Sequence, residues 1–376
     1  MEPGGDASKE EVWVLAADGG GGRGAFTAKI MDSIESNYGI SIRDTFDLIA
    51  GTSTGGLIGL GLSVPGEGGK KYKYSPKDIL EIYKTRGVEI FPKLGTLDKI
   101  KNPAGLMGPK YSREGIDRLT AELFGETMLS DAVGHVMTVA YDFKRCKPFF
   151  FKSNKAKSDP NRKDYKMYEA ARGTSAASTF FDPLLVKNKE GEESVLVDGG
   201  IFRNNPTASA MAAAKRLFPN AKKFHILSIG TGRSDYVFPR SSDKKEPAAY
   251  RQLNHAGVLG AIGPLIYGMM DGASQSTDYE MTQLFQGAGN DYLRLEAYLA
   301  PENADMDKVG PEDIQALLGY ANRLMNDQKT ELDKFFESIR KNRAAESESA
   351  EIKASEKIVE KETVSSEKKS KNKNAG

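Results

Sequence analysis

The chain has 376 residues, 39% hydrophobic and 28% charged, with a formal net charge of +1, which suits one large α/β domain with appendages or two to three smaller domains. The balanced charge excludes a global pull toward nucleic acid or an anionic surface. A lone cysteine, Cys146, excludes an intramolecular disulfide and suits a reducing, cytoplasmic compartment; it stands among Lys144, Arg145 and Lys147 and reads as part of a surface loop. No basic-then-apolar leader opens the sequence, and the longest uncharged runs (48–66 and 256–270) are broken by Gly, Ser, Thr or Pro. Neither a signal peptide nor a membrane-spanning helix is expected, and membrane contact would be peripheral.

Residues 12–17 (VWVLAA) are apolar and β-branched, the pattern of a buried strand. They feed Asp18-Gly19-Gly20-Gly21-Gly22-Arg23-Gly24, and a helix follows with Phe26, Ile30 and Ile34 on one face. Such a loop offers successive backbone N–H groups to an anion with no side chains in the way. Which anion stays open at this point. Gly19, Gly21 and Gly24 satisfy G-x-G-x-x-G, with Asp44 and Asp47 spaced as ribose-binding acids, so a dinucleotide site competes with an oxyanion hole and with a plain glycine turn. A Walker loop is excluded, because no Lys-Ser or Lys-Thr follows Gly24.

Residues 46–60 (FDLIAGTSTGGLIGL) read as strand, sharp turn and helix, with Ser53 at the tip of Gly51-Thr52-Ser53-Thr54-Gly55. That is the context of a nucleophile elbow, although G-x-S-x-G alone is common in a chain with 39 glycines. Beyond it, residues 63–75 form a Gly/Pro/Lys/Tyr loop whose Lys70-Lys71-Tyr72-Lys73-Tyr74 fits either a solvated loop or a lipid headgroup surface. Helices are expected over 76–87 and 112–123, with an irregular lid or surface excursion at 91–110 between them. Residues 135–140 and 148–151 read as strands, 153–166 as a polar loop, and 168–178 as a small-residue helix ended by residues 179–183.

Residues 193–197 (ESVLV) form another expected strand, delivering Asp198-Gly199-Gly200. Asp198 is expected at the carboxyl edge of the sheet, as Ser53 is, where open α/β folds place their sites; it suits a general base or an Asx turn. Asn205 and Pro206 open an Ala-rich helix, 224–230 is a further strand, and 239–245 is a polar loop. The uncharged 256–270 stretch, with two methionines, fits an apolar channel lining or a core segment. Residues 311–339 are amphipathic and helical, whereas from 341 the composition turns to Lys, Glu, Ser and Ala and predicts disorder.

Taken together, DGGGGRG, GTSTG and DGG, in that order, resemble the patatin-like phospholipases, with weaker likeness at 171–183, Asn204-Asn205-Pro206 and 228–232. The resemblance covers about residues 11–300 and implies a three-layer α/β/α sandwich with a mostly parallel central sheet over that span, a helical segment at 301–340 and a disordered charged tail at 341–376. It implies a serine acyl hydrolase of phospholipids or galactolipids that needs no calcium or other cofactor. Ser53 would be the nucleophile and Asp198 its base, forming a dyad. Gly20, Gly21, Gly22 and Arg23 would supply the oxyanion hole, Gly51 and Gly55 would shape the elbow, and Gly19, Gly24, Gly199 and Gly200 would complete the motifs. The alternatives are a nucleotide-binding module built on the glycine loop and an α/β-hydrolase triad. Of three histidines, His135 precedes Asp198 and His225 lies in an apolar strand, so only His255 suits a triad. No nucleic-acid partner is expected, and the sequence carries no signal for an oligomeric state.

Overall fold

The structure is a computed structural model that describes residues 8–92, 109–178, 180–234, 257–287 and 289–337, with backbone alone over 257–264. The expected excursion at 91–110 falls mainly outside these residues; the loop at 239–245, His255 and the tail from 341 fall wholly outside. The chain divides into two compact units, residues 1–328 and 329–376. In the second, residues 329–337 are helical, with Lys329 paired to Asp333 at 2.5 Å.

In the first unit the apolar runs pair into one eight-stranded sheet: β1 (Glu11–Ala17), β2 (Leu48–Thr52), β3 (His135–Asp142), β4 (Lys147–Lys152), β5 (Leu184–Lys187), β6 (Glu193–Asp198), β7 (Lys223–Ile229) and β8 (Asp291–Leu295). The order is β5-β6-β3-β2-β1-β7-β8, with β4 also on β3. Strands β3, β2, β1, β7 and β8 run parallel, while β4 and β6 run antiparallel to β3. The expected mostly parallel sheet between two helix layers is therefore the fold found.

The side-chain alternation of the strands sorts the two layers. Val12, Val14, Leu48, Ala50, Phe224 and Ile226 point to one face. There they meet the Ala-rich side of a helix at 207–217 and the end of a long helix at 257–285. On the other face lie α1 (Gly24–Tyr38), α2 (Thr54–Gly61), α3 (Pro76–Ile90), α4 (Glu114–Phe124), α5 (Met167–Thr174) and the helix Pro311–Asp327. We number the two helices of the first face α6 (Thr207–Leu217) and α7 (Gly257–Phe285), and Pro311–Asp327 α8. Small residues allow α2 and α6 to approach the sheet closely: a Cβ on Gly59 would lie 3.1 Å from Ile49 Cγ2, and Ala210 and Ala214 pack in one buried cluster with the strands.

Three expectations are corrected. Residues 153–166 are not a loop but carry two short helices, Ser153–Ser158 and Pro160–Lys163. The first is anchored by buried Ser153, Asn154 and Ala156, and at six residues it is too short to show a helical period in the sequence. The second difference concerns α6, which starts at Thr207 instead of Pro206, with Asn205 Oδ1 still accepting from Thr207 N at 3.0 Å. The third is the direction of β6: Asp198 does reach the carboxyl edge of the sheet beside Ser53, as expected, but on a strand that runs antiparallel to β3.

This reversal builds the site. Strand β4 takes one edge of β3 over residues 137–142. The other edge is shared: β2 pairs with 135–139 and β6 with 140–142. Strands β2 and β6 thus meet end to end, with Thr52 opposite Val139 and Asp198 opposite the next residue, Ala140.

Candidate active site

The turn after β2 is tight. A Cβ on Gly51 would stand 2.1 Å from Gly55 O, and one on Gly55 would stand 2.2 Å from Ala17 O. Between them Ser53 adopts φ 52°, ψ −122°, a strained conformation for a residue with a side chain. Its geometry is over-determined by its neighbours. Ser53 N donates to Thr174 Oγ1 at 3.0 Å, Thr174 Oγ1 donates to Val139 O at 2.6 Å, and Thr52 Oγ1 donates to Arg203 O at 2.8 Å. The α2 helix begins at Thr54, directly behind the serine, with its dipole's positive end toward it.

Asp198 meets this turn from the opposite direction. Its Oδ1 accepts from Gly200 N at 2.7 Å, and it lines the same cavity as Ser53. Burial pushes its pKa up to about 6, against the lowering effect of the Ser53 hydroxyl and of Gly200 N–H. Gly199 is needed where the chain passes β3, since a Cβ there would lie 2.6 Å from Val139 O.

The glycine loop crosses above the same strand ends. Not all of its expected donors are free. Gly22 N donates to Met306 O at 2.7 Å and Arg23 N to Gly20 O at 3.2 Å, while the Arg23 side chain is itself buried and also turns its Nε to Gly20 O. Gly19 N is taken by Asn204 O at 3.2 Å. Among the described residues, the N–H groups of Gly20 and Gly21 carry no such bond, and both residues line the cavity that holds Ser53. Gly21 has φ +58°, and a Cβ there would lie 2.5 Å from Met306 O. A Cβ on Gly24 would meet Thr54 Oγ1 at 2.2 Å, so the start of α1 packs directly on α2.

Four residues that the sequence pattern does not single out hold the glycine loop and the elbow in place. Thr231 Oγ1 donates to Gly19 O at 2.9 Å. Asp18 is gripped by both terminal nitrogens of Arg294, at 2.9 and 2.6 Å, and Arg294 also reaches Ser228 and Glu296. Glu296 in turn accepts from Gly232 N at 2.7 Å. Thr174 is the fourth, and its stretch carried only a weak signal. Arg294 carried none, because β8 is a short strand of half-buried residues.

A cavity of about 770 Å³ opens from Ser53 and Asp198. Its walls are apolar stripes of three helices: Leu57 and Ile58 of α2, Ile79 and Ile82 of α3, and Leu119 and Leu123 of α4, with the remaining wall supplied in part by Phe180, Phe181, Ile266 and Met270. The uncharged 256–270 stretch thus lines the cavity with one side of α7, while Leu265 and Met269 on another side are exposed. Polar groups gather near the glycine loop, where Asp307 binds Lys110 Nζ at 2.5 Å and Tyr111 Oη at 2.8 Å.

Other candidate groups lie elsewhere. His225 is fully buried in β7, stacked on Trp13 at 4.8 Å, with Nε2 3.0 Å from Glu11 and Nδ1 2.7 Å from Asp291. Asp47 accepts from Trp13 N and pairs with Lys9, and Asp44 pairs with Lys71; both sit before β2, at the opposite sheet end from the glycine loop. The acids required by the dinucleotide alternative are therefore not beside Gly19–Gly24. Lys71 belongs to the same distant end. Cys146 is exposed, with φ +50° in the β3–β4 turn. Among the described residues, no helix is long and apolar enough to cross a membrane, and no group of three or more His, Cys, Asp or Glu residues could hold a metal ion.

The chain is similar to known proteins. A family model described as Patatin-like phospholipase matches residues 15–211, a span that contains all three motif turns. Patatin-like protein 1 of Arabidopsis thaliana is 29% identical over 356 residues, covering 86% of this chain and 83% of its own. Patatin-17 of Solanum cardiophyllum is 31% identical over 344 residues, covering 84% of each. Among solved structures, VipD from Legionella pneumophila is similar over 83% of this chain and 67% of its own, at 14% identity and a TM-score of 0.32.

Proposed function

The chain belongs to the patatin-like phospholipase family, a family of lipid acyl hydrolases, and from that premise we propose that it cleaves fatty-acyl esters of phospholipids or galactolipids with Ser53 as nucleophile and Asp198 as its base. The observation that carries this reading is that Ser53, on its strained turn, and the buried Asp198 carboxylate line the head of one apolar cavity. A serine hydroxyl attacks only when a neighbouring base takes its proton, and a carboxylate raised to about 6 is a better base than an ordinary one while still ionised at neutral pH.

In the proposed reaction Ser53 Oγ adds to the ester carbonyl as Asp198 accepts its proton. The negative charge that develops on the carbonyl oxygen is met by the N–H groups of Gly20 and Gly21, supported by the start of α2. Asp198 returns the proton to the departing alcohol, and a water activated by the same carboxylate then hydrolyses the acyl-serine. This scheme draws no step from a metal. The enzyme would act in the cytoplasm on membrane lipids reached from the surface, with the exposed Leu265 and Met269 beside the cavity as the apolar contact.

The test is fatty-acid release from phosphatidylcholine and galactolipid vesicles, with EDTA present. Ser53→Ala is expected to abolish release and Asp198→Asn to cut it by about 10²–10⁴, whereas His255→Ala stays near wild type. Equal loss in a folded His255→Ala protein would replace the dyad with a triad. Full activity in Ser53→Ala would remove the nucleophile assignment altogether.

A further inference from the structure

We infer that the cavity is a length gauge for the acyl chain, whose floor is the contact between Tyr74 and Leu123; the inference rests on the hydrolase reading above and adds a substrate preference to it. The cavity follows the α2 helix. Thr54, Leu57, Ile58 and Gly61 line it at helical spacing, so its wall begins at Ser53 and ends at Gly61. The direction is fixed by the neighbours at each end. At the head lie Gly20 and Gly21. At the foot Gly61 faces Ile79, where an added Cβ would come 3.2 Å from Ile79 Cδ1, and Tyr74 Oη donates to Leu123 O at 3.1 Å, tying the loop before α3 to the last turn of α4.

Eight residues of helix rise separate Ser53 from Gly61, about 12 Å. An extended alkyl chain advances about 1.25 Å per carbon, given ordinary bond lengths and tetrahedral angles, so about ten carbons reach from the acylated serine to the floor. The wall along this path is hydrocarbon, and each added methylene gains contact until the end is reached. Beyond it, a longer chain has to bend within the cavity or leave carbons outside it. The two elements of the floor come from different parts of the chain, so the depth can be altered without touching Ser53, Asp198 or the glycine loop.

The experiment reads binding and turnover separately. Binding of saturated fatty acids of 6 to 16 carbons is measured by calorimetry below their critical micelle concentrations, and hydrolysis by the rates of the matching p-nitrophenyl esters. The proteins are the wild type, Tyr74→Ala, Tyr74→Phe and Gly61→Leu, each checked for folding by circular dichroism. In the wild type, affinity should rise about fourfold per methylene and level off near ten carbons. Tyr74→Ala opens the floor and moves the break to longer chains by at least two carbons. Gly61→Leu fills the foot and moves it to shorter ones, and Tyr74→Phe, which keeps the ring, leaves it in place. An unchanged break in both Tyr74→Ala and Gly61→Leu would overturn the gauge. Shifted breaks in binding with no ester hydrolysed by the wild type would keep the gauge and refute the hydrolase reading instead.

Discussion

Replacing Thr174 with valine removes one hydroxyl and preserves the shape of a fully buried side chain. No cavity is created, so the effect isolates two hydrogen bonds: Ser53 N to Thr174 Oγ1 at 3.0 Å and Thr174 Oγ1 to Val139 O at 2.6 Å. Orphaning a buried N–H costs about 1–3 kcal/mol, and the second bond adds about 1 kcal/mol, so unfolding in urea should show a loss of about 2–4 kcal/mol. Catalysis should suffer separately. Ser53 is held at φ 52°, ψ −122°, a conformation that costs about 1–3 kcal/mol and persists only while its surroundings insist on it. If the turn relaxes by that amount, the competent population falls about 5- to 150-fold. The expected signature in an acyl-ester assay is a fall in kcat with KM nearly constant, and Thr174→Ser, which keeps the hydroxyl, should recover most of both losses. A Thr174→Val protein as stable and active as wild type would show that the elbow needs no such restraint.

Three further outcomes are expected. Because the base must be ionised, kcat/KM should climb with pH through an apparent pKa of about 6 and be flat above it, falling about tenfold by pH 5; a profile flat from pH 5 to 8 would contradict Asp198 as the base. The same raised pKa lies above the unfolded value of 3.8, so the folded state binds the extra proton and loses stability as pH rises toward and through 6. Asp198→Asn, for all its lost activity, should therefore be more stable than wild type at pH 7–8, by about 2–3 kcal/mol in urea, with the advantage vanishing near pH 4. Arg294→Met leaves Asp18 buried without its partner and should cost about 3–5 kcal/mol, most of it recovered by Asp18→Leu in the double variant; a mild single-variant effect would show that the pair does not hold the loop.

The sequence made the framework legible wherever a strand is inner and apolar: β1, β2, β3 and β7 stand out as short, mainly apolar runs rich in Val, Ile, Leu and Ala. The three glycine-bearing turns were legible for a related reason. Close backbone approach forbids a Cβ at Gly51, Gly55 and Gly199, and that leaves a mark in the residue type. What depends on pairing left no mark. Nothing in ESVLV records that β6 runs against β3, and DYLRL is too short and too polar to announce β8, so Arg294 went unnoticed with it. The status of individual N–H groups was equally hidden. Gly22 and Arg23 carry the same motif signal as Gly20 and Gly21, but Met306, contributed from far along the chain, and the local turn occupy their donors.

The shared edge of β3 has one more consequence. Ser53 and Asp198 are like the two jaws of a caliper whose beam is a single strand, and the spacing of the jaws is one rung of its hydrogen-bond ladder. A slip of one rung would turn Asp198 to the other side of the sheet, so the gap has only right and wrong settings, with nothing between. The weak jaw is β6, held to β3 by three residue pairs, whereas β1 pairs with β7 along all seven of its residues and with β2 along four. As the molecule loosens, the jaws should part while Trp13 in β1 still reports an intact sheet, so hydrolysis measures the seating of one strand before it measures the fold.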